Sequence, residues 1–381
     1  MSETIYDAIV VGVGGMGSAA AYHLAKRGKR VLGLERFDIP HVMGSSHGIN
    51  RIIRLAYFEH PSYVPLLRRA YELWRELEQG AGEQLLYITG GLDAGPADGP
   101  CFNGSLLSCK LHDIPHEVLT GEQANQRFPA YNLPAAFRAV YQADGGFVAS
   151  ERAIVAHVEA AHRYGAEIRA REQVLGWEPK GAGVVVETDK GRYEAARLVI
   201  SAGVWAGSLV PVLAGKVVAE RQVLAWLQPT NPPIFGRDRF PIFIVEVTAE
   251  ERYYGFPVFS VPGFKLGLFH HFHEHTTGDA VDRACYPRDE EVLRRFAQTY
   301  FPQGAGPTMS MAACMFENSP DEHFIIDTLP DTPQVSVAAG FSGHGYKFCS
   351  VVGEIMADLA TTGQTRHDIG LFSLSRFTRD V

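Results

Sequence analysis

The chain has 381 residues, more than one hydrophobic core usually holds, so two domains are expected. Its 46% hydrophobic and 20% charged residues show no low-complexity tract or repeat, which excludes a disordered or solenoid architecture. The 35 Lys and Arg against 43 Asp and Glu give a formal charge of -8, which disfavours nucleic acid or an anionic membrane as a general partner.

Five cysteines (Cys101, Cys109, Cys285, Cys314, Cys349) are scattered, odd in number and without CxxC spacing. They indicate neither a disulfide framework nor a zinc ribbon, and a reducing compartment fits best. The first residues, "MSETIYDAIVVGVGGMG", lack a basic stretch ahead of their apolar run, and no apolar run reaches membrane-spanning length. A cytoplasmic protein is expected.

In chain order, the first element is a buried parallel strand over Ala8 to Val11, followed by Gly12, Gly14 and Gly17 in the order G-x-G-x-x-G. A helix with Ala20, Leu24 and Ala25 on one face ends at Gly28, and a second strand, Val31 to Leu34, leads to Glu35. Gly12 permits a tight turn, Gly14 lets the backbone approach a pyrophosphate, and Gly17 lets helix and strand pack closely. The helix N-terminus stabilises the phosphate charge, and Glu35 can accept hydrogen bonds from a ribose. Strand, glycines, helix, strand and acid in this order identify a dinucleotide cradle, which serves FAD or NAD equally well.

Next, "GSSHGINRIIR" brings His47, Arg51 and Arg54 together beside glycines. An arginine fork can hold a substrate carboxylate bidentately at any working pH, and the competing reading is an ion pair of Arg51 or Arg54 with Glu59. From Tyr63 to Gln79, Leu67, Ala70, Tyr71, Trp74 and Leu77 recur on one helix face and are read as core. The run "VVVETDKGRYEAARLVISAGVWAGSLV" predicts a hairpin turning at Asp189 to Gly191 and a buried strand from Leu198 to Ser201.

"YYGFPVFSVPGFKLG" reads as sheet flooring a pocket, with Lys265 near its end. The histidine-rich run "HHFHEH" at 270 to 275 has no carboxylate or cysteine spacing that completes a metal site, so no metal is expected. "MSMAACMFENSPDEHFIID" places Cys314 in an apolar run, where an unpaired cysteine is ordinarily a buried structural residue. "GFSGHGYKFCSVVGEIMADLATTG" is a glycine-rich loop entering a helix with Val352, Ile355, Met356 and Leu359 inward.

Residues 36 to 79, the stretch "ERYYGFPVFSVPGFKLGLFHH", the segment around Cys314 and Asp321, and "DEHFIID" followed by "GFSGHGYKF" together resemble the monomeric sarcosine oxidase and N-methyltryptophan oxidase family over nearly the full length. The resemblance implies FAD joined through a cysteine thioether at its 8α position, and Cys314 matches the attachment point. It implies that Arg54 and Lys347 clamp the substrate carboxylate, and that His47 and Arg51 lie near the flavin ring. Lys265 matches the oxygen-activating lysine, and Tyr254 belongs to the pocket. Arg36, Ser45, Gly343, His344 and Gly345 join the cofactor set, and Val174 lets a backbone group reach the adenine. The family's pocket histidine lies four residues after the lysine, where this chain has Phe269, and His270 is the nearest candidate.

The fold expected is α/β, with a discontinuous Rossmann-like FAD-binding domain (1-82, 146-218, 321-381) and an inserted α+β substrate domain with a mostly antiparallel sheet (83-145, 219-320). The implied activity is oxidation of the C-N bond of a sarcosine-like N-methyl or other secondary amino acid by O2, giving an imine and H2O2, by a monomer. Bulkier secondary amino acids (N-methyltryptophan, pipecolate, sugar-modified amino acids) are the alternative substrates, because Ile244, Arg252 and Phe269 stand where the chain departs from sarcosine oxidases. From other classes, an NAD-dependent dehydrogenase and a flavin-binding protein without turnover remain as rivals.

Overall fold

Strand β1 (Ile5–Val11) turns from half-exposed to fully buried along its length, because its C-terminal half is flanked on both edges. It runs parallel to β2 (Val31–Leu34) on one side and to the strand Arg192–Ile200 on the other, with Val10 opposite both Gly33 and Val199. Glu167–Arg169 and Thr332–Ala339 extend this parallel set, and the hairpin Val174–Lys180 with Gly183–Thr188, together with Ile325–Leu329 beside Thr332–Ala339, adds antiparallel strands to make an eight-stranded sheet. The computed structural model describes residues 5–378, and the two outer ends of the expected FAD domain, 1–4 and 379–381, lie outside them.

Helix α1 (Gly15–Lys26) is buried almost all round, as its alanine-rich sequence requires. It lies between the sheet and the helices Ser150–Arg163 and Cys349–Thr362. Its approach to the latter depends on small residues: a Cβ on Gly353 would stand 2.5 Å from the Ala19 backbone. The amphipathic helix Val64–Ala81 buries the expected stripe, Leu67, Ala70, Trp74 and Leu77, but leaves Tyr71 only partly covered, its hydroxyl donating to the Asp144 carbonyl at 2.7 Å. Each fully buried Leu or Val contributes about 1.5–3 kcal/mol.

A nine-stranded sheet carries the second core. It is antiparallel except where Gly91–Gly95 pairs parallel with Ile242–Glu246. Its long strand, Val218–Leu227, runs antiparallel to both Thr308–Asn318 and Phe264–Leu268, which sets Gln222 opposite Cys314 and Trp226 opposite Lys265. A small third sheet joins Asn50–Ile53, Gly146–Ala149 and Leu86–Ile88. Leu86–Ile88 therefore bonds to Gly146–Ala149 rather than to the substrate-side sheet that the expected boundary after residue 82 gives it. Among the described residues no helix is long and apolar enough to cross a membrane.

Candidate functional site

A cavity of about 390 Å³ runs from the glycine loop after β1 to the nine-stranded sheet. Its first end is built by steric necessity. Gly12 has φ +83°, and a Cβ there would lie 2.5 Å from the Ser201 carbonyl; a Cβ on Gly17 would lie 1.7 Å from the Gly12 carbonyl. Gly14 caps α1, and a Cβ on it would meet only Ser46 Oγ, at 3.8 Å, so the loop is open towards the cavity.

Glu35, at the end of β2, is buried and accepts hydrogen bonds from the N–H groups of Val13 (2.9 Å) and Phe37 (3.0 Å). Burial raises its pKa against those hydrogen bonds. Arg36 lines the same end, paired with Asp279 at 2.7 Å and stacked near Trp205. Val174 lines it at an irregularity in its hairpin. The open loop, the helix N-terminus and the buried acid fit the ADP half of a dinucleotide.

In the middle of the cavity Cys314 is buried on the strand Thr308–Asn318. Its Sγ lies 3.6 Å from Arg51 Nη2, and Arg51 also donates to the carbonyls of Ser45 (2.9 Å) and Asn50 (3.0 Å). Burial alone would raise the thiol pKa, but His47 and Arg51 outweigh it and bring it down to about 6. These neighbours favour the thiolate, the reactive state of a cysteine. His47 is buried and its Nε2 has no hydrogen-bond partner, and it stands behind the wall rather than in it.

Lys265 also stands behind the wall. Its ammonium donates to Gly48 O (2.7 Å), Asn50 O (2.8 Å) and Asn50 Oδ1 (2.8 Å) and lies 4.3 Å from the Phe256 ring centroid. Burial and Arg51 push its pKa well below the ordinary lysine value, while three oxygen acceptors match the three protons of the charged form.

At the far end Arg54 is fully buried yet lines the cavity. It pairs with Glu59 at 3.0 Å and with Asp93 at 3.4 Å, and donates to the Ala56 carbonyl at 3.2 Å. Both readings of this arginine meet here, since the ion pair with Glu59 forms inside the cavity. Lys347 faces the same space, donating to the His344 carbonyl at 2.6 Å. Burial and the Arg54 charge bring its pKa down to about 7. His344 is held by Tyr57 through Nδ1 at 2.6 Å, and burial lowers its pKa to about 4. Gly343 has φ +76°, and a Cβ on it would strike the Phe316 ring at 2.4 Å. Gly345 and Tyr254 complete the wall.

The expectation for His270 is corrected. The cavity wall carries Phe269, while His270 takes a left-handed backbone (φ 56°) that turns its ring to Glu220, 3.1 Å away. Burial opposes charge on His270, but Glu220 and Glu322 outweigh it and raise its pKa to about 9. The carboxylate absent from the local spacing is supplied by Glu220, which lies close to His270 and His273. Glu220 already accepts from Gln222 and Asn318 as well as His270, so its oxygens are used.

Two acids went unnoticed at the sequence level. Asp93 underlies Arg54, accepts from Ser105 Oγ at 2.6 Å, and is raised to about 6 by burial against the arginine. Glu317 lines the cavity, is 7% exposed, and keeps one carboxyl oxygen without a partner. Burial raises its pKa to about 8, against the backbone N–H groups of Phe341 and Gly340. The signal for both was a single acid inside an otherwise apolar strand. Because the folded pKa of Glu317 stands above its ordinary 4.5, its contribution to stability is complete below about 4.5 and is lost as pH rises through about 8. The urea midpoint of the wild type relative to Glu317→Gln is therefore expected to fall steadily from pH 5 to 8.5, and a constant difference across that range contradicts the buried, protonated carboxyl.

Residues 7–359 match the family described as FAD dependent oxidoreductase. The monomeric sarcosine oxidase of Streptomyces avermitilis is 44% identical over 99% of this chain and 98% of its own. The N-methyl-L-tryptophan oxidase of Yersinia pestis is 36% identical over 98% and 99%. Among solved structures, NikD, an unusual amino acid oxidase essential for nikkomycin biosynthesis, superposes with a TM-score of 0.85 at 26% identity over 98% of both chains. The cradle that served FAD and NAD equally in the sequence is thus an FAD site, and the protein belongs to the FAD-dependent oxidoreductase family.

Proposed function

We propose that the protein oxidises the C-N bond of N-methyl or other secondary amino acids with O2, releasing an imine that hydrolyses to an aldehyde and an amino acid, together with H2O2. The observation that carries this reading is the pair of buried cations, Arg54 and Lys347, that line the same cavity as the dinucleotide cradle. FAD, when bound, supplies the two-electron acceptor chemistry. The protein's part is to hold the substrate carboxylate on Arg54 and Lys347 and to keep water from the reacting carbon with Tyr254, Phe256 and Phe269. Glu59 must yield one side of Arg54 to the incoming carboxylate. Arg51 holds positive charge in the middle of the cavity with His47 behind it, and Lys265, behind Gly48, offers a fixed ammonium to the negative charge that develops when oxygen is reduced.

Cys314 is the proposed point of covalent attachment. Cys314, beside Arg51, would hold the flavin as a thioether, giving up its thiol proton in the attachment. Acid-precipitated protein is expected to stay yellow, and Cys314→Ser is expected to release all its flavin to the supernatant. Flavin release from the wild type would return Cys314 to a structural role. In this reading the segments 83–145, apart from the strand Leu86–Ile88, and 219–320 form the substrate side, and the enzyme works as a cytoplasmic monomer.

The Lys347 charge gives a pH signature. The free enzyme carries it below about 7 and loses it above. The Kd of a simple carboxylate competitor such as acetate is expected to rise by up to tenfold per pH unit above 7 and to become flat in Lys347→Arg. A flat wild-type profile from pH 6 to 9 contradicts the assignment. The activity itself is tested by a peroxide assay over N-methyl and cyclic amino acids; bound flavin without peroxide from any of them would favour a flavin-binding protein without turnover.

A further inference from the structure

Arg252 begins the strand Arg252–Phe256 and lines the cavity, with its guanidinium 5.3 Å from the centroid of Phe58 and 5.6 Å from that of Phe269. Arg54 lies 4.9 Å from the same Phe58 ring, so one aromatic side chain carries two guanidinium groups. Their surroundings differ. Arg54 has Glu59 and Asp93, whereas Arg252 has no carboxylate within ion-pair distance among the described residues. Glu246, opposite Arg252 in the strand register, is turned to the backbone N–H of Cys101 at 2.7 Å. Glu322, which feels the Arg252 charge, is paired with His270 at 3.3 Å.

Both rings lie within cation–π distance of the Arg252 guanidinium, a contact that uses none of its N–H donors. A planar fork with its donors unpaired, half-buried in an apolar wall, matches a carboxylate. Ile244, Tyr254 and Phe269 line the neighbouring wall, and suit methylene groups.

We propose that the preferred substrate is a dicarboxylic secondary amino acid, with its α-carboxylate on Arg54 and Lys347 and its side-chain carboxylate on Arg252. The inference rests on the amino acid oxidase reading and narrows it to substrates of the N-alkyl aspartate or glutamate class. Sarcosine and neutral N-methyl amino acids would leave Arg252 without a counter-charge.

Calorimetry on the holoprotein separates the two readings, because it needs no turnover. Glutarate is expected to bind at least about tenfold more tightly than butyrate, with the preference falling within about twofold in Arg252→Gln and partly restored in Arg252→Lys. In the peroxide assay N-methylglutamate is expected to exceed N-methylglutamine at least about tenfold in kcat/KM, and Arg252→Glu to reverse the order. Equal binding of glutarate and butyrate to the wild type, or equal turnover of the two amino acids, overturns the inference and leaves the oxidase reading standing. No peroxide from any secondary amino acid removes the oxidase reading and this inference with it.

Discussion

Replacing Arg54 by alanine is expected to lower kcat/KM for N-methyl amino acids by about a hundredfold or more, while a neutral secondary amine such as N-methylbenzylamine loses little. A buried, charge-assisted hydrogen bond is worth about 1.5–3 kcal/mol, and removing one member of a buried ion pair costs more because its partner is left charged and unpaired. The second effect appears as stability: Glu59 and Asp93 lose their cation, and Asp93, already raised to about 6, becomes protonated. The thermal midpoint therefore falls, and the loss of folded enzyme lowers turnover of all substrates alike. The ratio of amino acid to amine turnover cancels that loss, and an equal decline of both would show that Arg54 is only a structural ion pair.

Lys265→Met is expected to slow the oxygen reaction about a hundredfold or more and to change the reaction with the amino acid by only a few-fold. A fixed charge aimed at a developing anion is worth about 2.7–4 kcal/mol in a water-poor site. The ammonium is held by Gly48 and Asn50 and does not line the cavity, so the proposed action on oxygen would be through its field rather than by contact. Its removal also strands three oxygens, each costing about 1–3 kcal/mol if left unsatisfied. Rapid mixing reads the two half-reactions separately, and equal slowing of both would contradict the role.

Local elements were legible because local rules govern them. The glycine spacing and its flanking apolar runs locate β1, α1 and β2 to within a few residues, since Gly12 and Gly17 admit no side chain. The helix Val64–Ala81 follows from its apolar stripe. Non-local facts were not legible. Nothing in the spacing pairs Gly91–Gly95 with Ile242–Glu246, or puts Asp93 beneath Arg54. His270 misled the reading because its own left-handed backbone and its pairing with Glu220, a residue distant in sequence, are not visible in the local spacing, while Phe269 lines the cavity. Cys314 reads as apolar core until the fold sets Arg51 and His47 beside it.

Anaerobic mixing of the yellow holoprotein with a panel of secondary amino acids, followed by admission of air, tests the central claim most directly. The flavin absorption is expected to bleach with at least one of them and to return with oxygen, with one equivalent of H2O2 formed per flavin. No bleaching with any secondary amino acid would contradict it.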